Sequence, residues 1–164
     1  MNIDKFKHIG YFISTSGERQ HVYYDFRPLL LDNLFAEKLA YYIFSNYVPC
    51  NIIGVEFWGA VMLAKIQTHF NAPFHVLTGE IMEPVIFRKK KHVGHLKQTY
   101  GELNQRLPTY ILDDVITTGC TVREVFDHFR NVKIDGIFVM LNRLSPRREN
   151  YKDIPVIELH KVLR

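Results

Sequence analysis

Cysteine is nearly absent. Cys50 and Cys120 are the only two in 164 residues, too few for a disulfide framework and in keeping with a reducing cytosol. Long apolar runs are missing as well, so no segment approaches the length needed to cross a bilayer. The start, MNIDKFKHIG, lacks the apolar core of a secretory signal, and a cytoplasmic location is expected. There is no internal repeat, low-complexity tract or linker-like stretch, so 1–164 is expected to form one domain. Eight histidines are scattered without the spacing of a His/Cys metal cage. Acid is not in excess either. Net charge is +4 and pI is near 9.0, a mild preference for an anionic partner that leaves open nucleic acid, nucleotide or small phosphate.

What is present is a globular composition. Hydrophobic residues make up 47% and charged residues 23% of the chain, enough for a real core and against disorder. GYFISTSGERQHVYYDF reads as two short strands around SGER, with Gly17 as the breaker. Asp32 is placed to cap a helix running to about Tyr47, with Leu34, Phe35, Leu39, Tyr42 and Ile43 as its apolar stripe. NIIGVEF reads as a buried strand, and Gly59 to Phe70 as a helix with Val61, Leu63, Ala64 and Ile66 inward. PFHVLTG, PVIFRK, TYILDDVI, IDGIFVMLNR and IPVIEL are strand-like, and Val122, Val125, Phe126 and Phe129 mark one more helix. Helices interleaved with continuous apolar strands predict an α/β fold, a mainly parallel central sheet flanked by helices. In such sheets ligands collect at the carboxyl ends of the strands.

The stretch with most chemistry is YILDDVITTGCTVREVF, Tyr110 to Phe126. Two adjacent carboxylates repel, and neither is cheap to desolvate, so ending an apolar strand on Asp113-Asp114 calls for a use. The turn that follows can curl its backbone N–H groups into a nest, and a helix start adds partial positive charge. Threonine hydroxyls add donors, and Gly119 permits close approach. This design suits a phosphate monoester. Two carboxylates just before it can accept from a vicinal diol, which together suggests a ribose 5-phosphate binder. The string of two apolar residues, Asp-Asp, two apolar residues and Thr-Thr-Gly-x-Thr resembles the phosphoribosyl-diphosphate signature of type I phosphoribosyltransferases. The resemblance implies that Asp113 and Asp114 hold the ribose hydroxyls and that Thr117, Thr118, Gly119, Cys120 and Thr121 bind the 5-phosphate. It also implies a small amino-terminal hood, from about residues 1–30.

From about Gly10 to Arg143 the chain is similar to one branch, orotate phosphoribosyltransferase. The likeness puts Tyr23 and Tyr24 close to the base. GVEFWGAVMLA resembles the pyrophosphate loop and its helix, with Glu56, Phe57, Trp58 and Gly59 as the loop; Trp58 stands where some members carry lysine. VIFRKKKHVGH resembles the strand end that contacts diphosphate through Arg88 and Lys89. A mobile loop follows, whose Lys91 and His92 would close over the neighbouring subunit's site, so a homodimer is implied. The order of this loop departs from the family's, and His92 and His95 compete for its histidine position. FVMLNRL resembles the late strand whose terminal arginine, here Arg143, binds the pyrimidine carboxylate. The implied reaction transfers ribose 5-phosphate from phosphoribosyl diphosphate to orotate, with Mg²⁺ as cofactor and Lys91, His92, Asp113 and Asp114 as catalytic residues. Three other readings stay open: transfer to a purine base, a non-catalytic sensor of phosphoribosyl diphosphate, and an RNA-binding relative using RKKKH. Neither a membrane nor nucleic acid is the expected partner.

Overall fold

Ile52 and Ile53 are adjacent in sequence, both fully buried, and belong to different hydrophobic cores. Ile111 and Leu112 divide the same way, as do Ile137 and Phe138, and Val139 and Met140. Side chains alternate along a strand, so a strand that is apolar at every position must be covered on both faces. The computed structural model, which describes residues 1–13, 17, 19–70, 82–88, 98–144 and 149–163, has that arrangement.

In chain order the elements are β1 (Lys7–Ile13), β2 (Arg19–Tyr24), α1 (Arg27–Leu30), α2 (Asn33–Tyr47), β3 (Cys50–Val55), α3 (Trp58–Phe70), β4 (Met82–Phe87), β5 (Thr99–Tyr100), β6 (Thr109–Ile116), α4 (Cys120–His128), β7 (Ile134–Asn142), β8 (Asn150–Tyr151), β9 (Ile154–Glu158) and α5 (Leu159–Val162). A seven-stranded sheet has the order β5-β4-β3-β6-β7-β9-β8. Strands β4, β3, β6, β7 and β9 are parallel, and the two-residue strands β5 and β8 pair antiparallel at the edges. A separate antiparallel hairpin, β1-β2, stands at the amino end.

The expected architecture is therefore found, with local differences. The strand read from TYILDDVI is found as β6, with Asp113 and Asp114 near its carboxyl end, where β7 pairs Asp113 with Val139, Val115 with Leu141 and Ile116 with Asn142. Leu34, expected in the inward stripe of α2, is 60% exposed. At about 100° per residue it lies roughly opposite Ile43, and Phe35, Ala36, Leu39, Ala40 and Ile43 form the buried face. In α3 the buried hydrophobic side chains among the described residues are Met62, Leu63 and Ile66, while Ala64 turns outward. The expected cap of α2 is present: the Asp32 side chain accepts from the Leu34 N–H at 2.9 Å. The strand expected at PFHVLTG lies outside the described residues. No helix among the described residues is long and apolar enough to cross a membrane.

The chain leaves β3 through α3 and next pairs β4 on one side, whereas β6 leads through α4 to β7 on the other. Met62, Leu63 and Ile66 of α3 sit in one core, and Val122 and Val125 of α4 in the other, so the two helices cover opposite faces. Between the carboxyl ends of β3 and β6 the connections diverge and leave a crevice. Gly59 keeps that crevice tight: a Cβ there would stand 2.1 Å from the Leu112 carbonyl oxygen and 3.2 Å from Asp113 Cα. Only hydrogen fits between the first turn of α3 and β6. Gly59→Ala is therefore expected to destabilise the protein by about 1–3 kcal/mol, the usual cost of overpacking, measured by urea unfolding; unchanged stability would refute the close approach.

Candidate active site

A cleft of about 660 Å³ opens at the carboxyl ends of β3 and β6. Asp113, Asp114, Glu56, Phe57, Trp58 and Thr117 through Thr121 line it. Phe12, Ile13, Gln20, Tyr23 and Tyr24 of the hairpin line it too, with Arg143. Sequence positions more than a hundred residues apart thus converge on one space.

The acidic pair is tightly held. Asp113 is buried at 6% exposure and Asp114 is half-buried. Asp113 Oδ1 accepts from the Asp114 N–H, and Asp114 Oδ1 accepts from the Val115 N–H, both at 2.9 Å. These local bonds fix the carboxyl groups before any ligand arrives. Beyond them the chain turns through Gly119, which has φ 75° and precedes α4. That left-handed conformation suits glycine, and the space a Cβ would need is filled by the Tyr151 ring at 2.3 Å. Tyr151 also donates its hydroxyl to the Gly119 carbonyl at 3.3 Å. The Cys120 N–H points to Thr118 Oγ1 at 3.4 Å. A helix start with its first N–H groups outside the helical ladder is thus aimed past a turn rich in hydroxyls.

The loop after β3 begins with Glu56, whose N–H donates to the Phe87 carbonyl at 2.8 Å. The Glu56–Phe57 peptide is cis. Phe57 and Trp58 meet edge to face at 4.8 Å between ring centres. Arg88 stands beside the cleft rather than in its lining, with Nε 3.5 Å from Glu56 Oε2. Gly59 is not in the lining either; it lies against β6 as described above. Lys89, Lys91, His92 and His95 fall outside the described residues.

Arg143 follows β7, its N–H donating to the Ile116 carbonyl at 2.7 Å. Its side chain crosses to the hairpin. Nη1 donates to Gln20 Oε1 and to the Val22 carbonyl, each at 3.1 Å, and the guanidinium carbon lies 5.9 Å from the centre of the Tyr24 ring. Tyr24 in turn stacks on Phe26, which is part of the core. The cation is thus braced by the hood as well as by the sheet.

Two residues that support or line the cleft escape a reading of the sequence. Tyr151 lies far along the chain from the Gly119 turn it supports, and no motif links the two. Gln20 does leave a trace. It shares the half-buried phase of β2 with Val22 and Tyr24, while Arg19, His21 and Tyr23 are exposed. A carboxamide on the inward side of a strand marks a polar task. The two cysteines also separate: burial pushes the Cys50 thiol up to about 12, whereas Cys120 is exposed in the turn.

Burial raises the Tyr23 phenol above its ordinary value, Asp25 and Asp114 add to this, and Arg27 opposes it. A raised phenol favours the neutral form in the fold. Its contribution to stability is present below the unfolded value of 10.0 and is lost as pH climbs through the folded value. In an ultraviolet pH titration, Tyr23→Phe is expected to remove one tyrosine that ionises above its ordinary value. Removal of one that titrates normally would contradict the site's electrostatics.

No protein-family model matches the chain. It is 28% identical over 124 residues to the orotate phosphoribosyltransferase of Picrophilus torridus, a match covering 74% of this chain and 68% of that protein. Among solved structures, it resembles the Leishmania donovani UMP synthase with a TM-score of 0.67 at 18% identity, over 97% of this chain and 35% of that one. The chain thus spans about a third of that larger protein. The Francisella tularensis orotate phosphoribosyltransferase matches with a TM-score of 0.55 at 21% identity, over 97% of this chain and 75% of that one. An adenine phosphoribosyltransferase from Thermoanaerobacter pseudethanolicus matches with a TM-score of 0.53 at 18% identity, over 94% and 95% of the two chains. The structural matches establish the fold without choosing a base; the sequence match is to an orotate phosphoribosyltransferase. The chain has the fold of these phosphoribosyltransferases and is similar in sequence to orotate phosphoribosyltransferases.

Proposed function

We propose that the protein transfers ribose 5-phosphate from phosphoribosyl diphosphate to a ring nitrogen of orotate, giving orotidine 5′-phosphate and pyrophosphate, a step of pyrimidine nucleotide synthesis in the cytoplasm. The observation that carries this reading is the convergence of Asp113-Asp114, the Thr117–Thr121 turn and Arg143 on one cleft. A phosphate cradle, a diol acceptor and a cation therefore share one cleft, the three groups that a pentose phosphate and an anionic base would need.

Asp113 and Asp114 accept from the 2′- and 3′-hydroxyls and fix the sugar. Thr117, Thr118, Gly119, Cys120 and Thr121 take the 5-phosphate through backbone N–H groups and hydroxyls. Glu56, Phe57, Trp58 and Gly59 form the loop beside the diphosphate, and Arg88 and Lys89 contact the same group. Tyr23 and Tyr24 flank the base, and Arg143 pairs with its carboxylate. As the bond at the anomeric carbon lengthens, positive charge develops on the sugar and negative charge on the leaving diphosphate. The protein helps by holding the two reactants in line and by meeting the growing negative charge with fixed donors. Lys91 and a loop histidine, His92 or His95, bring further positive charge from a neighbouring subunit when the loop closes, which makes a homodimer the functional unit.

Mg²⁺ fits this cleft. Among the described residues no cluster of three or more His, Cys, Asp or Glu could cage a metal. Yet Asp113 and Asp114 offer the oxygen ligands Mg²⁺ prefers, and that ion is commonly held by one or two carboxylates together with substrate phosphates. When bound it would neutralise charge on the diphosphate.

Arg143 is what favours orotate over a purine, since a guanidinium matches a carboxylate in bidentate fashion. Incubation with phosphoribosyl diphosphate, Mg²⁺ and each base in turn tests the reading through pyrophosphate release. Turnover with orotate alone is expected. Turnover with a purine instead would reassign the base, and donor binding with no turnover on any base would indicate a sensor. Asp113→Asn combined with Asp114→Asn is expected to abolish donor use with the circular dichroism spectrum unchanged; retained turnover would defeat the assignment. Arg143→Ala is expected to raise the KM for orotate about 10- to 100-fold, the equivalent of losing a charged hydrogen bond. An unchanged KM would remove Arg143 from the base site.

A further inference from the structure

The geometry points to Gln20 as a specificity-determining residue, one that aims Arg143 while leaving its charge intact for an anionic base; this rests on the orotate reading of the cleft. Gln20 lines the cleft and stands 123 positions from Arg143 in sequence. It occupies the half-buried phase of β2 with Val22 and Tyr24. A carboxamide there is costly unless it is bonded, and the bond it makes is to Arg143.

The guanidinium has a limited number of ways to sit. Its Nη1 carries two hydrogens, and these are taken by Gln20 Oε1 and the Val22 carbonyl, each at 3.1 Å. The Tyr24 ring lies near its face. Among the described residues these are the partners of the guanidinium, so the edge formed by Nε and Nη2 is the one left to receive a ligand. That edge presents two parallel N–H groups, the fork that matches a carboxylate. Arginine can only donate, so the Gln20 oxygen must face it, which turns the Gln20 amide NH₂ away from Arg143. Those N–H groups are then donors for a ring carbonyl of the base.

The identity of the residue at position 20 also sets the charge of the pocket. The neutral acceptor orients Arg143 and leaves a full positive charge facing the base. A carboxylate of the same size would orient the guanidinium equally well, cancel its charge and oppose a second carboxylate. Gln20 therefore acts on base selection through its lack of charge as much as through its hydrogen bond.

Steady-state kinetics on the full chain, varying orotate and phosphoribosyl diphosphate separately, test this with Gln20→Glu and Gln20→Ala. Gln20→Glu is expected to raise the KM for orotate by about tenfold or more, as a like charge placed at a binding site does, with the KM for the donor unchanged. Gln20→Ala is expected to raise the orotate KM less, because the cation keeps its charge and its bond to Val22. Inhibition by uracil, which lacks the carboxylate, should not weaken in Gln20→Glu as orotate binding does. A merely structural role would make the isosteric Glu substitution the milder of the two and would shift both KM values together. That outcome, or an unchanged orotate KM in Gln20→Glu, overturns the inference while the orotate reading stands. Absence of orotate turnover in the unmodified protein overturns the reading itself, and this inference with it.

Discussion

The cleft depends on one contact between backbones. Where β3 ends, the first turn of α3 lies directly on the Leu112 carbonyl of β6, with no room for a side chain between them. This closeness lets the loop from Glu56 to Trp58 and the acidic pair on β6 line a single space. The divergence of α3 and α4 to opposite faces leaves that space open rather than filled by a connection. A wider separation would leave two strand ends, each with half of a site. Gly54 takes part in the same approach, since a Cβ on it would meet the Gly59 carbonyl at 2.8 Å.

A second constraint joins the hairpin to the sheet. The strands β1 and β2 form their own two-stranded sheet, and such a hairpin is marginal alone. Two features anchor it next to the cleft. Phe6 and Phe26, which flank it in sequence, are buried in the core beneath, with ring centres 5.6 Å apart. Arg143 reaches from the end of β7 to the Val22 carbonyl and Gln20. Hydrogen bonds to a charged group are each worth about 1.5–3 kcal/mol, so this one side chain contributes to the hood's position as well as facing the cleft. On the proposed reading, seating the base and seating the hood are the same event.

Much of this was legible in the sequence because the relevant signals are local. The parallel sheet follows from strands apolar at every position, as in Ile52-Ile53 and Ile137 through Leu141. The acidic pair and the threonine turn lie within nine residues of one another, so a single motif contains them. TYILDDVI reads as a strand through the acidic pair to Ile116, and β7 alongside pairs that far. The two-residue strands β5 and β8 carry too few side chains to show any period. The outward turn of Leu34 was hidden for a different reason: apolar residues occur on both sides of α2, and spacing alone does not say which side meets the sheet. Tyr151 beneath Gly119 and Gln20 beside Arg143 are long-range contacts, and only the fold brings them together.

The charge on the cleft bears on how the proposed reaction must proceed. Glu56, Asp113, Asp114 and Glu124 line it, whereas Arg143 is the cation among its described lining residues. Both proposed substrates are anionic, and two unit charges about 4 Å apart interact by about 4 kcal/mol at the effective dielectric of a protein surface. A site so lined would repel what it is proposed to bind if side-chain charge were its only means of attraction. Backbone N–H groups at the start of α4 answer part of this for the 5-phosphate, because they attract an anion without adding a side-chain charge. At the diphosphate end Arg88 already lies near Glu56, so a share of its charge is spent within the protein. On the proposed reading the remaining attraction arrives with the substrates, as a divalent cation. On that reading the acidic lining makes donor binding depend on the accompanying cation, and a donor that enters without it meets carboxylates of its own sign.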